Sequence, residues 1–386
     1  MDKRKTSIRA AAGVLGAAAV AGAAWIALPA EAAATGVVSR SGGVVTYTAA
    51  SGKANTVVLT RNGAVLTVDD VYGLKAGAGC AAVAGDTTKI TCAGVSWVRV
   101  DLGDGNDTLI NNSNLGMTAY GRAGSDKITG GSLKDDVYGG DGNDAIWGLA
   151  GNDVLRGENG NDSISGGDGN DSISGSNGND SLIGGNGADT FWDGAGNDKA
   201  SGQAGDDWFI NGQGNDAFDG GAGVDEFDSP NDYPAGTDRD SFTGGPDLDA
   251  VDYQFRTKPV AADADGVAGD DGSAGEGDTI SSSVEVLGGG SAGDRLIGTS
   301  RDEGFFGRPG NDTIAASTGD DILWGEEGRD SLNGAGGTDQ CVDPAAGETV
   351  LSCEIIGDGL SASRIDSFPE GERLVDFAKK LRAARK

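Results

Sequence analysis

The most regular feature of the chain is an apolar residue that recurs every nine positions. Residues 121–228 divide without a gap into twelve units of nine, and we number the positions of each unit from 1 to 9. Each unit is predicted to form a three-residue strand joined to a turn, with the side chain at position 8 pointing inward. The position 8 residues are Ile128, Val137, Ile146, Leu155, Ile164, Ile173, Leu182, Phe191, Ala200, Phe209, Phe218 and Phe227.

The turns of these units are rich in glycine and carry one aspartate each, at position 6. Position 4 is glycine except at Leu133, and glycine permits left-handed backbone angles and exposes carbonyl oxygens. Oxygen ligands without nitrogen or sulfur suit Ca²⁺, which takes about six to eight of them, so two stacked turns are needed for one ion. The position 6 residues are Asp126, Asp135, Asp144, Asp153, Asp162, Asp171, Asp180, Asp189, Asp198, Asp207, Asp216 and Asp225.

A second block of six units covers residues 289–342. Two isolated units, at 102–109 and 244–252, place Asp107 and Asp249 in the equivalent position, and we expect both to be metal ligands as well. The position 6 residues of the second block are Asp294, Glu303, Asp312, Asp321, Asp330 and Asp339.

The amino-acid composition excludes several classes of function. The 386 residues include 70 glycines and no histidine, and the formal net charge is −31. The absence of histidine excludes Ser-His and Cys-His catalysis as well as histidine-ligated metals. Nucleic-acid binding requires a basic surface, so the charge argues against a nucleic-acid partner and favours a cationic one, most simply a metal ion.

Repulsion between the aspartates predicts that the metal is needed for folding. With two units per turn, equivalent aspartates lie about 4.8 Å apart, which is the spacing of strands in a sheet. At an effective dielectric constant of about 20, each such pair repels by roughly 3 kcal/mol. A divalent cation between stacked aspartates reverses the sign of this interaction, so we expect ion binding and folding to be one event.

The pattern G-G-x-G-x-D-x-U-x, in which U is apolar, resembles the RTX (repeats-in-toxin) calcium-binding nonapeptide. The resemblance covers both blocks and implies an all-β fold, a parallel β-roll with two repeats per turn. It also implies several Ca²⁺ ions, held between successive turns by loop carbonyls and by the position 6 aspartates. It applies less well to Glu303 and to the unit that contains Leu133.

Residues 33–101 differ from the repeats. Runs rich in β-branched residues at 44–48, 56–61, 64–68 and 95–102 predict strands, and Asn62-Gly63 predicts a hairpin turn between the second and third. We therefore expect a small antiparallel β domain there.

The four cysteines form two pairs, Cys80 with Cys92 and Cys341 with Cys353, each twelve positions apart. In an exported protein this arrangement predicts two local disulfides. Cys341 occupies position 8 of the last unit, so its bond to Cys353 would close the open end of the stack. The alternative, a zinc site built from all four thiolates, requires closer C-x-x-C spacing.

The two ends of the chain carry their own signals. Basic residues between positions 3 and 9 precede an apolar run at 10–28, and Ala30-Glu31-Ala32 fits a signal-peptide cleavage site; a retained membrane anchor is the alternative. At the C-terminus, Leu374, Phe377, Ala378 and Leu381 follow helical spacing among basic residues. This helix is predicted to cap the second roll, with docking on an anionic surface as the alternative.

The sequence therefore predicts six parts, and no span of the mature chain that crosses a membrane. They are a signal peptide (1–32), the antiparallel β domain (33–101), the first β-roll block (102–228), an acidic irregular connector with one isolated repeat (229–288), the second block (289–353) and a tail with an amphipathic basic helix (354–386).

The arrangement as a whole resembles Sec-exported RTX calcium-binding proteins of Gram-positive bacteria. We expect a secreted or cell-surface calcium-binding protein that folds on Ca²⁺ binding. It would be non-enzymatic, with a structural or adhesive role toward an extracellular matrix or cell-envelope partner. The alternative is a secreted Ca²⁺-dependent hydrolase or an accessory module of one, because RTX rolls often accompany catalytic domains.

Overall fold

The computed structural model of the protein describes residues 35–230, 238–342, 349–356, 373–375 and 379. The predicted signal peptide and most of the predicted C-terminal helix lie outside the described residues.

The N-terminal part follows the β-branched runs of the sequence. Its strands are β1 (Gly36–Ser41), β2 (Val44–Thr48), β3 (Thr56–Asn62), β4 (Val65–Asp69), β5 (Leu74–Ala76), β6 (Cys80–Val83), β7 (Asp86–Ala93) and β8 (Trp97–Asp101). Antiparallel pairs form between β1 and β2, between β3 and β4, and between β7 and both β4 and β6. The prediction of a small antiparallel β structure here is confirmed.

The first repeat block continues with strands that are mostly six residues long. Each of these covers positions 7 to 9 of one unit and 1 to 3 of the next, so it is longer than the predicted three residues. The strands are β9 (Thr108–Asn112), β10 (Met117–Ala123), β11 (Lys127–Thr129), β12 (Asp136–Asp141), β13 (Ala145–Ala150), β14 (Val154–Asn159), β15 (Ser163–Asp168), β16 (Ser172–Asn177), β17 (Ser181–Asn186), β18 (Thr190–Ala195), β19 (Lys199–Ala204), β20 (Trp208–Ile210), β21 (Ala217–Ala222) and β22 (Glu226–Asp228).

Residues 238–356 contribute shorter strands. Six lie in the segment between the blocks, which the sequence predicts to be irregular, and they are β23 (Ser241–Thr243), β24 (Ala250–Asp252), β25 (Val260–Asp263), β26 (Gly272–Ser273), β27 (Thr279–Ile280) and β28 (Val286–Gly288). The second block and the residues after it add β29 (Arg295–Ile297), β30 (Gly304–Phe306), β31 (Thr313–Ala315), β32 (Ile322–Trp324), β33 (Ser331–Asn333), β34 (Gln340–Val342), β35 (Thr349–Leu351) and β36 (Glu354–Ile356).

Successive turns stack in parallel with a register of eighteen residues, or two units. Val137 pairs with Leu155 on one side of the coil, and Ile146 pairs with Ile164 on the other. The result is a parallel β-solenoid of about 13 turns, which confirms the predicted β-roll.

Three sheets make up the walls of the solenoid. The first has 17 strands in the order β5-β1-β2-β8-β10-β12-β14-β16-β18-β20-β22-β24-β28-β30-β32-β34-β36, so it runs through both blocks and the segment between them. The second has 13 strands, from β6 through β7, β4, β3 and β9 to β27. In the second block the second sheet is replaced by a third, which has six strands from β26 to β35.

The core lies between the sheets and is built from position 8. All twelve of these side chains in the first block are at most 3% exposed. Phe191, Phe209 and Phe227 stack in one column, with ring centroids 4.5 and 4.9 Å apart. The same apolar cluster extends from Val38 in β1 to Cys341 in β34, so the N-terminal strands share their core with the repeats.

Both predicted disulfides, Cys80–Cys92 and Cys341–Cys353, are present. The first joins β6 to β7 at the N-terminal end. The second ties β34 to the chain that follows it, at the other end of the core.

A second apolar cluster covers the outer face of the first sheet. Phe306 and Trp324 belong to it, and each follows a core residue in its strand and so faces the opposite way. Leu374 and Val375, which are helical, are buried in this cluster. These described residues of the tail therefore lie against the side of the solenoid.

Candidate metal centres

The position 6 aspartates form columns along the turns of the solenoid. Every one predicted as a metal ligand is at most 3% exposed. In ten of the twelve aspartates of the first block, Oδ1 accepts a hydrogen bond from the backbone N–H of the aspartate eighteen residues earlier, with N–O distances of 2.6–2.9 Å. In the first two units the donors are the N–H groups of Asp107, to Asp126, and of Met117, to Asp135. The column continues in the second block, where Asp294 N donates to Asp312 Oδ1 at 2.7 Å. One oxygen of each carboxylate is thus used to hold the register of the stack.

The second carboxylate oxygen is different. Oδ2 is buried in most of these aspartates and accepts no hydrogen bond within the described part of the chain. A buried, unpaired carboxylate oxygen is costly, and its electron pairs are available to a cation. Those with such an oxygen include Asp107, Asp126, Asp144, Asp153, Asp162, Asp171, Asp180, Asp189, Asp198, Asp207, Asp216, Asp225, Asp249, Asp312 and Asp339.

Position 1 glycine provides the space beside that oxygen. A Cβ added to Gly157 would lie 2.1 Å from Asp162 Oδ2, and one added to Gly202 would lie 2.0 Å from Asp207 Oδ2. Position 4 is equally restricted, because Gly160 has φ 136° and a Cβ there would lie 1.7 Å from the carbonyl oxygen of Gly142. Bare backbone and an unpaired carboxylate oxygen therefore meet in the turns, and this donor set fits Ca²⁺.

Units of the two blocks that lack glycine at position 4 depart from this arrangement. In the unit with Leu133, the N–H of Gly131 donates to Asp135 Oδ2 at 2.7 Å. In the unit with Ala292, the N–H of Gly290 donates to Asp294 Oδ2 at 2.6 Å. The unit with Arg301 repeats the contact, since the N–H of Thr299 donates to Glu303 Oε2 at 2.6 Å. An oxygen that already accepts an N–H is a poorer ligand, so Asp135 and Asp294 differ from the other predicted ligands.

Burial also changes the acidity of the columns. It raises the pKa of Asp126, Asp162 and Asp207 to about 7 and that of Asp249 and Asp312 to about 8, although the backbone N–H bonds to Oδ1 oppose the shift. Metal-free columns therefore hold protons at near-neutral pH, and a bound cation would displace them.

Comparison with known protein families identifies the repeats. The family model described as the RTX calcium-binding nonapeptide repeat (4 copies) matches residues 118–146, 129–164, 138–173, 147–182, 156–191, 183–218, 192–227 and 306–341. These segments are RTX calcium-binding nonapeptide repeats. The protein is accordingly a calcium-binding protein with several Ca²⁺ ions as its cofactors. No curated protein matches the chain.

Asp240 and Glu285, which the sequence analysis did not identify, extend the columns into the segment between the two blocks, together with Asp278. The N–H of Asp216 donates to Asp240 Oδ1, and the N–H of Asp240 donates to Asp278 Oδ1, so both residues extend a column of the RTX repeats beyond residue 228. Glu285 accepts from the N–H of Asp249 in the same way. Spacing could have revealed two of them, since Asp240 lies nine residues before Asp249 and Glu285 lies nine before Asp294.

Arginine side chains contact the buried acids between the RTX blocks. Arg256 is fully buried, and its Nη1 lies 2.6 Å from Glu276 Oε1. Arg308 makes a bidentate contact with Asp252, at 2.5 and 2.7 Å. In these two contacts the positive charge beside the buried acid is supplied by an arginine side chain of the protein.

Among the residues that the structure describes, none belongs to a helix with the length and hydrophobicity needed to span a bilayer.

Proposed function

We propose that this protein folds outside the cell on binding Ca²⁺ and then serves as a structural or adhesive element. The observation that carries the proposal is the column of buried aspartates, in which one oxygen fixes the register and, in most of them, the other lacks a donor within the described part of the chain. The residues that would hold the ions are these aspartates together with carbonyls of the glycine turns. The ion supplies positive charge where equivalent carboxylates stack.

Two features support an extracellular location. The disulfides Cys80–Cys92 and Cys341–Cys353 are typical of an oxidising compartment. The N-terminal sequence has the basic, apolar and small-residue order of a secretory signal. The calcium concentration outside a cell is then the signal that starts folding.

We further propose a role without catalysis, toward a matrix or cell-envelope partner. RTX rolls are typically structural, and no histidine is available for nucleophilic or acid–base chemistry. A panel of hydrolase substrates assayed with and without Ca²⁺ should show no turnover. Calcium-dependent turnover would favour the hydrolase alternative.

A calcium titration of the full chain tests the folding proposal. Far-UV circular dichroism should show little β structure in chelator and a cooperative gain as Ca²⁺ is added. Equimolar Mg²⁺ is the control, because it demands octahedral geometry and dehydrates reluctantly. A spectrum that chelator leaves unchanged, or equilibrium dialysis that finds only one or two bound ions, would contradict the proposal.

A further inference from the structure

One unit of the first block carries a carboxylate where the repeat has glycine. Position 1 is glycine throughout the block except at Asp193 and Asn211. Asp193 lies in β18 and is completely buried. Its Oδ1 accepts the N–H of Gly194 at 2.8 Å, whereas its Oδ2 has no hydrogen-bond partner in the described part of the chain.

The unpaired oxygen of Asp193 faces two members of the aspartate column. Asp193, Asp198 and Asp216 each offer a carboxylate oxygen, and these three oxygens lie within 4.8 Å of one another. Asp198 and Asp216 are already joined by the column hydrogen bond, from N to Oδ1 at 2.7 Å, and each has a buried Oδ2 without a donor. Three carboxylates, two from the column and one from position 1, therefore converge at this turn.

The spacing matches a calcium ion. Ligands on opposite sides of Ca²⁺, each about 2.3–2.6 Å from the ion, are separated by about 5 Å. Oxygens that are mutually within 4.8 Å can therefore bind the same ion.

We propose that Asp193, Asp198 and Asp216 form a three-carboxylate calcium site that binds its ion more tightly than the other repeat turns do. This inference rests on the proposed function, because it takes Ca²⁺ as the ligand of the columns. What it adds is an order of loading: the charge count of a calcium site sets its affinity, so the turn with the extra carboxylate fills first.

The neighbouring turn shows why this position is distinctive. Asn211 occupies the equivalent place one turn further on, and its Nδ2 donates to Asp240 Oδ2 at 2.6 Å. An amide there supplies a donor to the column, whereas Asp193 supplies an acceptor. The cluster is thus the last turn of its own column before a protein group donates to the column carboxylate.

The test is a competition titration of the full chain against a chromophoric calcium chelator. The wild-type protein should show one ion bound at least about tenfold more tightly than the remainder, as expected for one added carboxylate ligand. Asp193→Gly restores the repeat consensus, so it should fold like its neighbours and keep the total number of ions while losing the tight one. Asp193→Asn keeps one oxygen and should give an intermediate affinity.

Asp219→Asn is the matched control, since it removes an exposed carboxylate from the unit that contains Asp216 and should leave the tight ion unchanged. A tight ion that survives in both Asp193 variants would overturn the inference, and so would a wild-type protein whose many ions form one class that Asp193→Gly does not alter. A wild-type protein that binds a single ion, lost in Asp193→Gly, would support this site while refuting the folding proposal. Circular dichroism in saturating Ca²⁺ confirms that each variant is folded.

Discussion

The repeat turns and the segment between the two blocks both bury carboxylates, but they differ in what contacts those carboxylates. In both, carboxylates are buried in a column with one oxygen bound to a backbone N–H. In most of the repeats the second oxygen has no donor within the described residues, as at Asp162. In the intervening segment Asn211 Nδ2 donates to Asp240 Oδ2, and the hydroxyl of Tyr253 donates to Asp278 Oδ2 at 3.1 Å.

The difference extends to the countercharge. Arg256 donates through Nε and Nη2 to Ser229 and through Nη1 to Glu276, and its Nη2 lies 3.9 Å from Asp238 Oδ2. In our proposal the repeats take a cation from the medium, whereas the intervening segment has a buried arginine beside its acids. We infer that the repeats respond to calcium and that the segment around Arg256 does not.

The largest expected effect is that of pH on the metal-free repeats. Burial raises the pKa of Asp153 to about 6 and those of Asp189 and Asp216 to about 7, above the value of about 3.9 in an unfolded chain. Between pH 4 and 7 the folded columns keep protons that the unfolded chain has lost. The stability of the metal-free roll should therefore fall as pH rises through this window.

This expectation is measured by far-UV circular dichroism in chelator. The β signal should grow as pH is lowered from 7.5 to 5, and in saturating Ca²⁺ it should be nearly constant above pH 7. Bound Ca²⁺ should be released as pH falls below about 6, because protons compete for the same oxygens. A metal-free spectrum that is insensitive to pH would count against raised pKa values in the columns.

The next largest effect should come from Arg256. Arg256→Met leaves Glu276 buried without its cation and should lower the free energy of unfolding by about 3–5 kcal/mol. Urea unfolding in saturating Ca²⁺ measures the change, and added calcium should not restore it. Arg239→Met, at an exposed arginine nearby, is the control and should have little effect. Equal unfolding midpoints for the two variants would remove the distinction between the regions.

A smaller effect is expected at Leu133. Leu133→Gly should release Asp135 Oδ2 from the N–H of Gly131 and make this turn like its neighbours. We expect about one additional bound ion per chain, counted by equilibrium dialysis. Leu149→Gly removes another leucine that is 50% exposed, but at position 2, and should leave the ion count unchanged. An unchanged count in Leu133→Gly would show that position 4 does not control the ligand.

The smallest effect is expected at the C-terminal contact. Arg373 Nε lies 3.3 Å from the buried Glu226, whereas Lys379 pairs with Asp206 where both side chains are substantially exposed. Lys379→Ala should change the free energy of unfolding by less than about 1 kcal/mol, because exposed ion pairs contribute little. Arg373→Ala should be worse by about 1–3 kcal/mol, since it loses the charged hydrogen bonds from Nε to Glu226 and from Nη2 to the carbonyl oxygen of Asp207. Chemical denaturation of both variants checks the ranking.

Much of the repeat architecture could be predicted from periodicity. A period of nine places Asp144 and Asp162 two units apart, and the structure stacks them with the N–H of one on the carboxylate of the other. The same count placed Cys341 in the core. The bond pattern that separates Asp135 from its neighbours could not be read from the period, because it depends on how the backbone at position 2 turns when position 4 is not glycine.

The intervening segment could not be predicted in this way. Asp240 stacks on Asp216 although 24 residues separate them, and Asp278 stacks on Asp240 across 38 residues. A hydrogen bond between adjacent turns depends on where the backbone returns and not on the length of the chain between. Arg256 likewise meets Glu276 through a loop of irregular length, so no fixed spacing predicts the pair.

The N-terminal strands affect the pairing register of every later turn of the solenoid. The N-terminal strands form a platform, which the disulfide Cys80–Cys92 fastens. β8 and β9 are its two edges, and β10 and β11 add to them in parallel as the next turn. Each later turn aligns with the turn before it. A shift of the pairing register by one unit at the platform would therefore exchange the two sheets for every turn that follows. The platform, fastened by a disulfide, thus gives the coil a fixed starting point.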